Sequence, residues 1–181
     1  MTEHSFAFAA PLPLNTDHDC AGFQSGEPVL DEWLRDRALQ NMAIAASKTY
    51  VICPYGTQQV IGFYALCMGQ ILNQEATGAM RRNMPRHIPA VILGRLAIDH
   101  NWQGKGLGQA LLHDAVLRSS RVAGEVSARL LIVHALSPAA EAFYQHNGFT
   151  RLPVETPTFG LDLVKLAKLA LTTSKTDPAQ K

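Results

Sequence analysis

The stretch NWQGKGLG, residues 101–108, has glycine at positions 104, 106 and 108 and joins two segments of opposite character. Residues 90–99 before it are almost continuously apolar and predict a buried central strand, and residues 109–122 after it predict a helix. Glycine lets a backbone reach positive φ and approach a ligand closely, and the first N–H groups of a helix have no partner inside the helix. The stretch is therefore a candidate phosphate site, although glycine content alone is equally typical of a tight structural turn.

Two familiar phosphate loops are excluded by spacing. A P-loop needs Gly-x-x-x-x-Gly-Lys followed by Ser or Thr, and no such run occurs in the sequence. The dinucleotide fingerprint needs Gly-x-Gly-x-x-Gly, whereas positions 104, 106 and 108 give Gly-x-Gly-x-Gly. The pattern that remains, counted from Gln103, is Gln-x-x-Gly-x-Gly.

Length and composition indicate one globular domain. The chain has 181 residues, of which 47% are hydrophobic and 17% charged, so it can bury a substantial core and is not of the disordered class. The net charge of +1 argues against a chain coated in basic residues and leaves room for a local basic patch.

The cysteines and the chain start predict a cytoplasmic protein without a membrane segment. Cys20, Cys53 and Cys67 lack the spacing of a disulfide framework or a metal site, which favours reduced thiols. Residues 1–4 lack the basic start of a signal peptide. The longest apolar run, 60–72, is too short to span a bilayer.

The hydrophobic pattern predicts alternating strands and helices. The helix over 29–46 has an apolar stripe that includes Trp33 and Met42, and Phe6 to Leu14 is a candidate edge strand. The other predicted elements are a hairpin of strands 49–53 and 59–70, a strand over 128–136, a helix over 138–146 capped by Ser137, and strands over 149–152 and 159–164.

Arg81, Arg82, Arg86 and His87 form a basic cluster without an acidic residue among them. Pro85 and a second proline at 89 limit regular structure there. The cluster is either a solvated loop or an anion-binding rim, and the residues alone favour the loop.

The helix over 138–146 places Tyr144 away from its predicted apolar stripe of Ala139, Ala142, Phe143 and His146. A tyrosine in this position is either a packing partner of Phe143 or a catalytic group, and the residues alone favour packing.

Two stretches together resemble the GNAT acetyltransferase superfamily. The match covers residues 103–108, the family's acetyl-coenzyme A pyrophosphate loop, and FYQHNGF, residues 143–149. The resemblance implies an α+β fold with a central, mostly antiparallel, twisted sheet of six to seven strands. The sheet is expected to splay at the cofactor site and to be flanked by about four helices. We expect one acetyltransferase domain over 1–166 and a flexible C-terminal tail over 167–181.

A narrower resemblance points to the toxins of toxin–antitoxin pairs that acetylate aminoacyl-tRNA. It rests on LDEWL (30–34), RRNMP (81–85), LGRLAID (93–99) and VHAL (133–136). Lys48 departs from it, since arginine is common there. The resemblance implies transfer of acetyl from acetyl-CoA to the α-amine of aminoacyl-tRNA, a ribbon–helix–helix antitoxin and a homodimer. The alternatives are a GNAT enzyme acting on a small amine or a protein N-terminus, and a non-enzymatic acyl-CoA-binding module.

The resemblance also implies roles for individual residues. Tyr144 would give a proton to the leaving thiolate, Arg81, Arg82 and Arg86 would bind tRNA, and the Ile98 N–H would donate to the developing oxyanion. No metal and no general base are expected. The acetyl-CoA set would be Leu96, Ala97, Ile98, Gln103, Gly104, Lys105, Gly106, Leu107 and Gly108.

Overall fold

The structure is a computed structural model that describes residues 8–174 of the chain. Residues 1–4, which lack a signal-peptide start, and residues 175–181 of the predicted tail lie outside the described residues. In chain order the elements are β1 (Leu12–Pro13), α1 (Pro28–Asp36), α2 (Ala38–Ala43), β2 (Lys48–Ile52), β3 (Gly62–Leu72), α3 (Gly78–Arg81), β4 (His87–Ile98), α4 (Leu107–Val126), β5 (Leu130–His134), α5 (Pro138–His146), β6 (Thr150–Arg151), β7 (Thr158–Asp162) and α6 (Leu163–Ser174). Two 3₁₀ turns cover Asn73–Glu75 and His100–Trp102.

The strands form one seven-stranded sheet in the order β1-β2-β3-β4-β5-β7-β6. The pairs whose register is defined are antiparallel, with Tyr50 opposite Tyr64 in the β2–β3 hairpin and Ile132 opposite Gly160 between β5 and β7. This mixed architecture confirms the predicted fold class. The described residues hold six α-helices, more than the four expected, because α2 and α3 are very short.

The chain divides into two compact units. The first takes the residues up to Cys67 together with Leu93–Ala115, and the second takes Met68–Ile92 and the residues from Val116 on. Each unit is therefore built from two separate stretches of sequence, and β3 and β4 each contribute to both.

The core of the first unit forms around the aromatic ring of Phe63. Trp33 of α1 stacks on that ring with 6.0 Å between centroids, and Phe23 meets it edge-on at 5.5 Å. The buried residues Leu34 and Ala38 extend the cluster, and Met42 of the predicted stripe packs against it. Burial of large aromatic side chains stabilises such a cluster most strongly.

The single helix predicted over 29–46 is wrong, because the chain leaves helical geometry at Arg37. Its φ and ψ are −125° and −29°, and its N–H donates to the Trp33 carbonyl at 2.9 Å to end α1. No proline or glycine marks this break, so the apolar period alone runs through it. A left-handed Ala45, with φ +57°, follows the end of α2.

The second unit orders the segment between β3 and β4, which the sequence predicted to be irregular. Met80 of α3 is buried in a cluster with Ile88, Leu130 and Ile132. β4 begins at His87 rather than at residue 90, and the strand includes Pro89, whose carbonyl accepts from the Arg129 N–H at 2.8 Å. Proline is tolerated there because it lacks only the N–H donor, while its carbonyl still accepts a hydrogen bond.

The last described residues form a helix. Helix α6 occupies Leu163–Ser174, and the Asp162 carboxylate accepts from the N–H groups of Val164 and Lys165 at its start, at 3.1 and 3.0 Å. The tail prediction over 167–181 therefore falls partly on a helix.

Candidate active site

The C-terminal end of β4 is anchored by the buried carboxylate of Asp99. One of its oxygens accepts from the Gln24 N–H and the other from the Asn101 N–H, both at 3.0 Å. The Asp99 N–H itself donates to the Ile61 carbonyl at 2.9 Å. Asp99 is 6% exposed, so these bonds lie in a low-dielectric setting and hold the start of the loop in place.

Gln103 ties the loop back to the strand that precedes it. Its side-chain amide donates to the Ile98 carbonyl at 3.0 Å and to the Ser25 carbonyl at 2.8 Å. The side chain of Gln103 is thus occupied by the protein's own backbone. Its contribution to a bound ligand is limited to its backbone N–H and to the shape it imposes on the loop.

Two of the loop glycines have the left-handed backbone conformation that favours glycine. Gly104 and Gly106 have φ of +73° and +78°, and a Cβ added at either one would meet no atom within 4 Å. Glycine is needed here for its backbone freedom rather than for lack of space. Apart from the adjoining residues, no atom lies within 4 Å of the Cβ position of either glycine, so this side of the turn is open.

Helix α4 begins directly after this turn. The Ala110 N–H donates to the Gly106 carbonyl at 3.1 Å, the first helical bond. The N–H groups of Leu107, Gly108 and Gln109 precede it and have no helical acceptor. The helix is 20 residues long, so its N-terminus carries the full partial positive charge of a helix dipole.

Lys105 adds a second positive charge to the loop. Its ammonium donates to the Asn101 carbonyl at 3.3 Å and lies 4.9 Å from the centre of the Trp102 ring. The side chain thus folds back over the loop, where it raises the local positive potential.

The predicted cofactor strand Leu96–Ile98 ends at this loop. Ala97 and Ile98 are buried, and Leu96 is half-buried. A Cβ added at Gly62 would come within 2.7 Å of the Ile98 side chain, so the glycine of β3 makes room for it. The first unit therefore brings together the whole acetyl-CoA set predicted from the sequence.

Tyr144 belongs to the second unit and is the buried residue of α5. The ring is 6% exposed and contacts Phe143, Phe149 and Phe159, with centroid distances of 5.3, 5.6 and 6.5 Å. The predicted apolar stripe is wrong, because Ala139, Ala142 and His146 are exposed and Phe143 is only half-buried. The side of α5 that carries Tyr144 is buried because Tyr144 packs on Phe149 and Phe159, which follow α5 in the chain. The helical period of α5 does not show these contacts.

Burial in this aromatic setting raises the pKa of Tyr144 to about 12. Within residues 8–174 the hydroxyl has no hydrogen-bond partner. Tyr144 therefore keeps its proton at neutral pH and has it available for donation.

The ends of α5 confirm the predicted capping. The Ser137 hydroxyl accepts from the Ala140 N–H at 3.2 Å. At the other end Gly148 has φ +86° and the Phe149 N–H donates to the Tyr144 carbonyl at 3.1 Å. These bonds fix the turn on which Tyr144 lies.

The basic cluster Arg81, Arg82 and Arg86 is exposed on an ordered backbone. The Asn73 side-chain amide donates to the carbonyls of Arg81, Met84 and Pro85 at 3.0–3.2 Å. Within residues 8–174 none of the three guanidinium groups has a carboxylate partner. The three charges are therefore presented to solvent from a fixed frame. Asn73 has no sequence signal, because its partners lie up to twelve residues away.

The cysteines are unsuited to act as nucleophiles. Burial raises the pKa of all three thiols, that of Cys20 to about 11, while Arg95 opposes the shift at Cys67. Reactive cysteines have the opposite shift. The described residues also contain no group of side chains that could hold a metal ion, and no helix among them has the length and apolarity to cross a membrane.

The central part of the chain matches a known protein family. Residues 45–151 match the acetyltransferase (GNAT) domain. A tRNA-acetylating toxin from Mycobacterium tuberculosis is 43% identical over 148 residues, which cover 82% of this chain and 88% of the toxin.

Two solved structures have the same fold. The toxin AtaT complexed with acetyl-methionyl-tRNAfMet matches with a TM-score of 0.84 at 26% identity, over 91% of this chain and 99% of AtaT. A mutant of AtaT bound to the C-terminus of the antitoxin AtaR and acetyl-CoA matches with a TM-score of 0.77 at 27% identity, over 90% and 98% of the two chains.

Proposed function

The chain belongs to the GNAT acetyltransferase family, and we propose that it transfers acetyl from acetyl-CoA to the α-amine of aminoacyl-tRNA. The observation that carries the proposal is the open turn at Gly104 and Gly106, placed at the start of a 20-residue helix and tied to the end of β4 by Gln103. The identity with a tRNA-acetylating toxin and the fold shared with tRNA-bound AtaT support the choice of acceptor. Loss of charged tRNA to acetylation would block translation.

Acetyl-CoA is the co-substrate. We assign its pyrophosphate to the N–H groups of residues 103–108, where the helix dipole and Lys105 favour a doubly charged anion. We assign the pantetheine arm to the backbone of Leu96, Ala97 and Ile98, which would pair with it as one strand pairs with another, and the developing oxyanion to the Ile98 N–H.

The chemistry is direct attack without an acyl-enzyme. The amine nitrogen forms a bond to the acetyl carbon, the carbon–sulfur bond breaks, and the sulfur leaves as a thiolate. One proton leaves the nitrogen through water, and one proton returns to the sulfur. The raised pKa of all three cysteine thiols agrees with a route that uses no protein nucleophile.

Tyr144 is assigned to the leaving sulfur. Its pKa of about 12 lies above that of a thiol, about 8.5, so complete transfer of its proton is uphill by about 5 kcal/mol. Tyr144 therefore acts mainly as a neutral hydrogen-bond donor that stabilises the thiolate, and the sulfur is finally protonated through water. Burial disfavours the tyrosinate form, so the hydroxyl stays a neutral donor.

The acceptor explains why no general base is needed. A free α-amine has a pKa of about 7.7–8.0, against about 10.4 for a lysine side chain, and esterification of the neighbouring carboxyl lowers it further. A large neutral fraction is then present at pH 7.

Arg81, Arg82 and Arg86 are assigned to tRNA phosphates. They are exposed, close in sequence and held on the backbone frame built by Asn73. The net charge of +1 means that RNA affinity must come from such a local patch.

The partners and the location follow from the same function. A ribbon–helix–helix antitoxin that covers the site or the basic cluster would keep the enzyme inactive, and a homodimer is the expected assembly. Charged tRNA is a cytoplasmic substrate, so we place the protein in the cytoplasm.

Release of coenzyme A thiol tests the proposal. The rate should rise strongly with a pool of aminoacylated tRNA and stay near background with the same pool after deacylation. Equal rates with both pools would contradict it, and turnover with small amines alone would move the chain to another class of GNAT enzyme.

A further inference from the structure

A groove of about 550 Å³ in the second unit lies beside the basic cluster, and its charged lining combines Arg81 with an arginine from β6, Arg151. Arg151 lies seventy residues further along the chain, so the sequence alone does not associate the two. The lining residues are Gln74, Ala76, Thr77, Gly78, Arg81, Arg151, Leu152 and Pro153.

Arg151 is held in a defined orientation. One of its terminal nitrogens lies 3.4 Å from the Glu141 carboxylate and the other donates to the Glu155 carbonyl at 3.4 Å. The guanidinium also lies 5.6 Å from the centre of the Phe159 ring. Both contacts with oxygen are long, and the side chain is 37% exposed. A guanidinium has five N–H donors, so this one has donors left for a ligand.

Arg81 is positioned by the core beneath it. It ends α3, whose Met80 is buried, and its carbonyl accepts from the Asn73 amide at 3.2 Å. Its guanidinium has no carboxylate partner in the described part of the chain. The groove therefore combines one guanidinium without an acid and one only loosely paired with an acid.

The rest of the lining suits a nucleotide rather than a free ion. Pro153 is exposed and gives an apolar surface, and the buried residues Ala76 and Leu152 also line the groove. Gln74 and Thr77 add hydrogen-bonding side chains. Among the described residues no acidic side chain lines the groove, and Glu141, which contacts Arg151, is not part of the lining. Two guanidinium groups beside an apolar surface fit a phosphodiester together with the sugar or base attached to it.

We propose that this groove binds a backbone phosphate of the acceptor RNA, with Arg81 and Arg151 as its donors. The inference rests on the proposed function and extends its RNA-binding surface to β6. The partner of Arg151, Glu141, lies on α5 one turn before Tyr144. Arg151 thereby links RNA binding to the helix that carries the catalytic tyrosine.

The experiment measures the Kd for deacylated tRNA at several salt concentrations. Arg151→Gln should weaken binding about tenfold and reduce the slope of log K against log salt by about one, because one phosphate contact is lost. Arg151→Lys keeps the charge and should recover part of the loss, and Glu141→Gln should tighten binding by freeing the guanidinium. The matched control is Arg121→Gln on an exposed position of α4, which has the same change in net charge. Thermal melting shows that each variant is folded.

Steady-state kinetics with aminoacyl-tRNA give a second readout, in which the Arg151→Gln loss falls on KM rather than on kcat. Equal Kd values and salt slopes for Arg151→Gln and Arg121→Gln would overturn the proposal. The proposal would also be overturned if the groove bound only the antitoxin. In that case Arg151→Gln would lower the affinity for the antitoxin while its Kd for tRNA equalled that of Arg121→Gln. If the proposed function is wrong, the wild-type protein itself fails to acetylate charged tRNA. If only the groove is wrong, the wild type acetylates and the Arg151 variants match the control.

Discussion

Replacing Gly106 with alanine tests whether the turn before α4 binds acetyl-CoA through its backbone. Gly106 has φ +78°, and a Cβ there would meet no atom within 4 Å, so Gly106→Ala introduces conformational strain without a clash. The left-handed conformation costs an L-residue about 1–2 kcal/mol. Part of the strain is offset in folding, because alanine reduces the freedom of the unfolded chain by about 0.4–1 kcal/mol. We expect the free energy of unfolding to fall by about 1 kcal/mol.

The effect on binding should be larger than the effect on folding. Other loop conformations relieve the strain, so the fraction of protein with the binding conformation falls by up to about 5–30-fold, and the Kd for acetyl-CoA rises by the same factor. Isothermal titration calorimetry with coenzyme A, which carries the same pyrophosphate as acetyl-CoA, measures this factor. Gly106→Asn should lose less affinity than Gly106→Ala, because asparagine tolerates positive φ better.

Gly124→Ala is the matched control. Gly124 lies within α4, does not have a positive φ, and likewise has open space where an added Cβ would lie. Alanine there should stabilise the protein by about 0.5–1 kcal/mol and leave coenzyme A affinity unchanged. If Gly106→Ala and Gly124→Ala had the same Kd, the turn would not be the pyrophosphate site.

Three further predictions follow from the site. Tyr144→Phe should remove one hydrogen bond to the charged sulfur, worth about 1.5–3 kcal/mol. We therefore expect kcat to fall about 10–150-fold with little change in melting temperature. An unchanged kcat would exclude Tyr144 from the reaction. The pKa of Tyr144 in the folded protein, about 12, is above the unfolded value of about 10, so its contribution to stability is complete below pH 10 and is lost as the pH rises towards 12. Urea denaturation should therefore show that Tyr144→Phe loses less free energy of unfolding at alkaline pH than the wild type. Equal losses in the two proteins would contradict the raised pKa. Replacing Arg81, Arg82 and Arg86 together by glutamine should reduce the slope of log K against log salt for tRNA binding by about three. An unaltered slope would mean that the RNA binds to another surface.

Local sequence was sufficient for the parts of the site that depend on local geometry. Glycine spacing and capping residues predicted the turn at 103–108, the start of α4 and the Ser137 cap. The structure has each of them. The hairpin of β2 and β3 was likewise predictable from two apolar runs around a turn.

Features that depend on tertiary contacts were missed or misjudged. Tyr144 is buried because Phe149 and Phe159 pack on its ring, whereas the helical period of α5 favoured its neighbours. The frame of the basic cluster depends on Asn73, which reaches carbonyls of a later turn. Arg151 joins the groove through the pairing of β6 with β7. Asp99 could have been found from the sequence. Aspartate commonly accepts from the backbone N–H two residues later in an Asx turn, and the Asn101 N–H is that donor here.

The proposed function requires that the acetyl group is placed on the α-amine of a tRNA-linked amino acid. Mass spectrometry of a total charged-tRNA pool, after incubation with the protein and isotopically labelled acetyl-CoA, tests this requirement directly. We predict labelled N-acetyl-aminoacyl adenosine after nuclease digestion, and at least about tenfold less of it from a reaction with Tyr144→Phe stopped at the same early time. Labelled acetyl found only on small amines, on protein N-termini or on a nucleobase, with the aminoacyl α-amine unmodified, would contradict it.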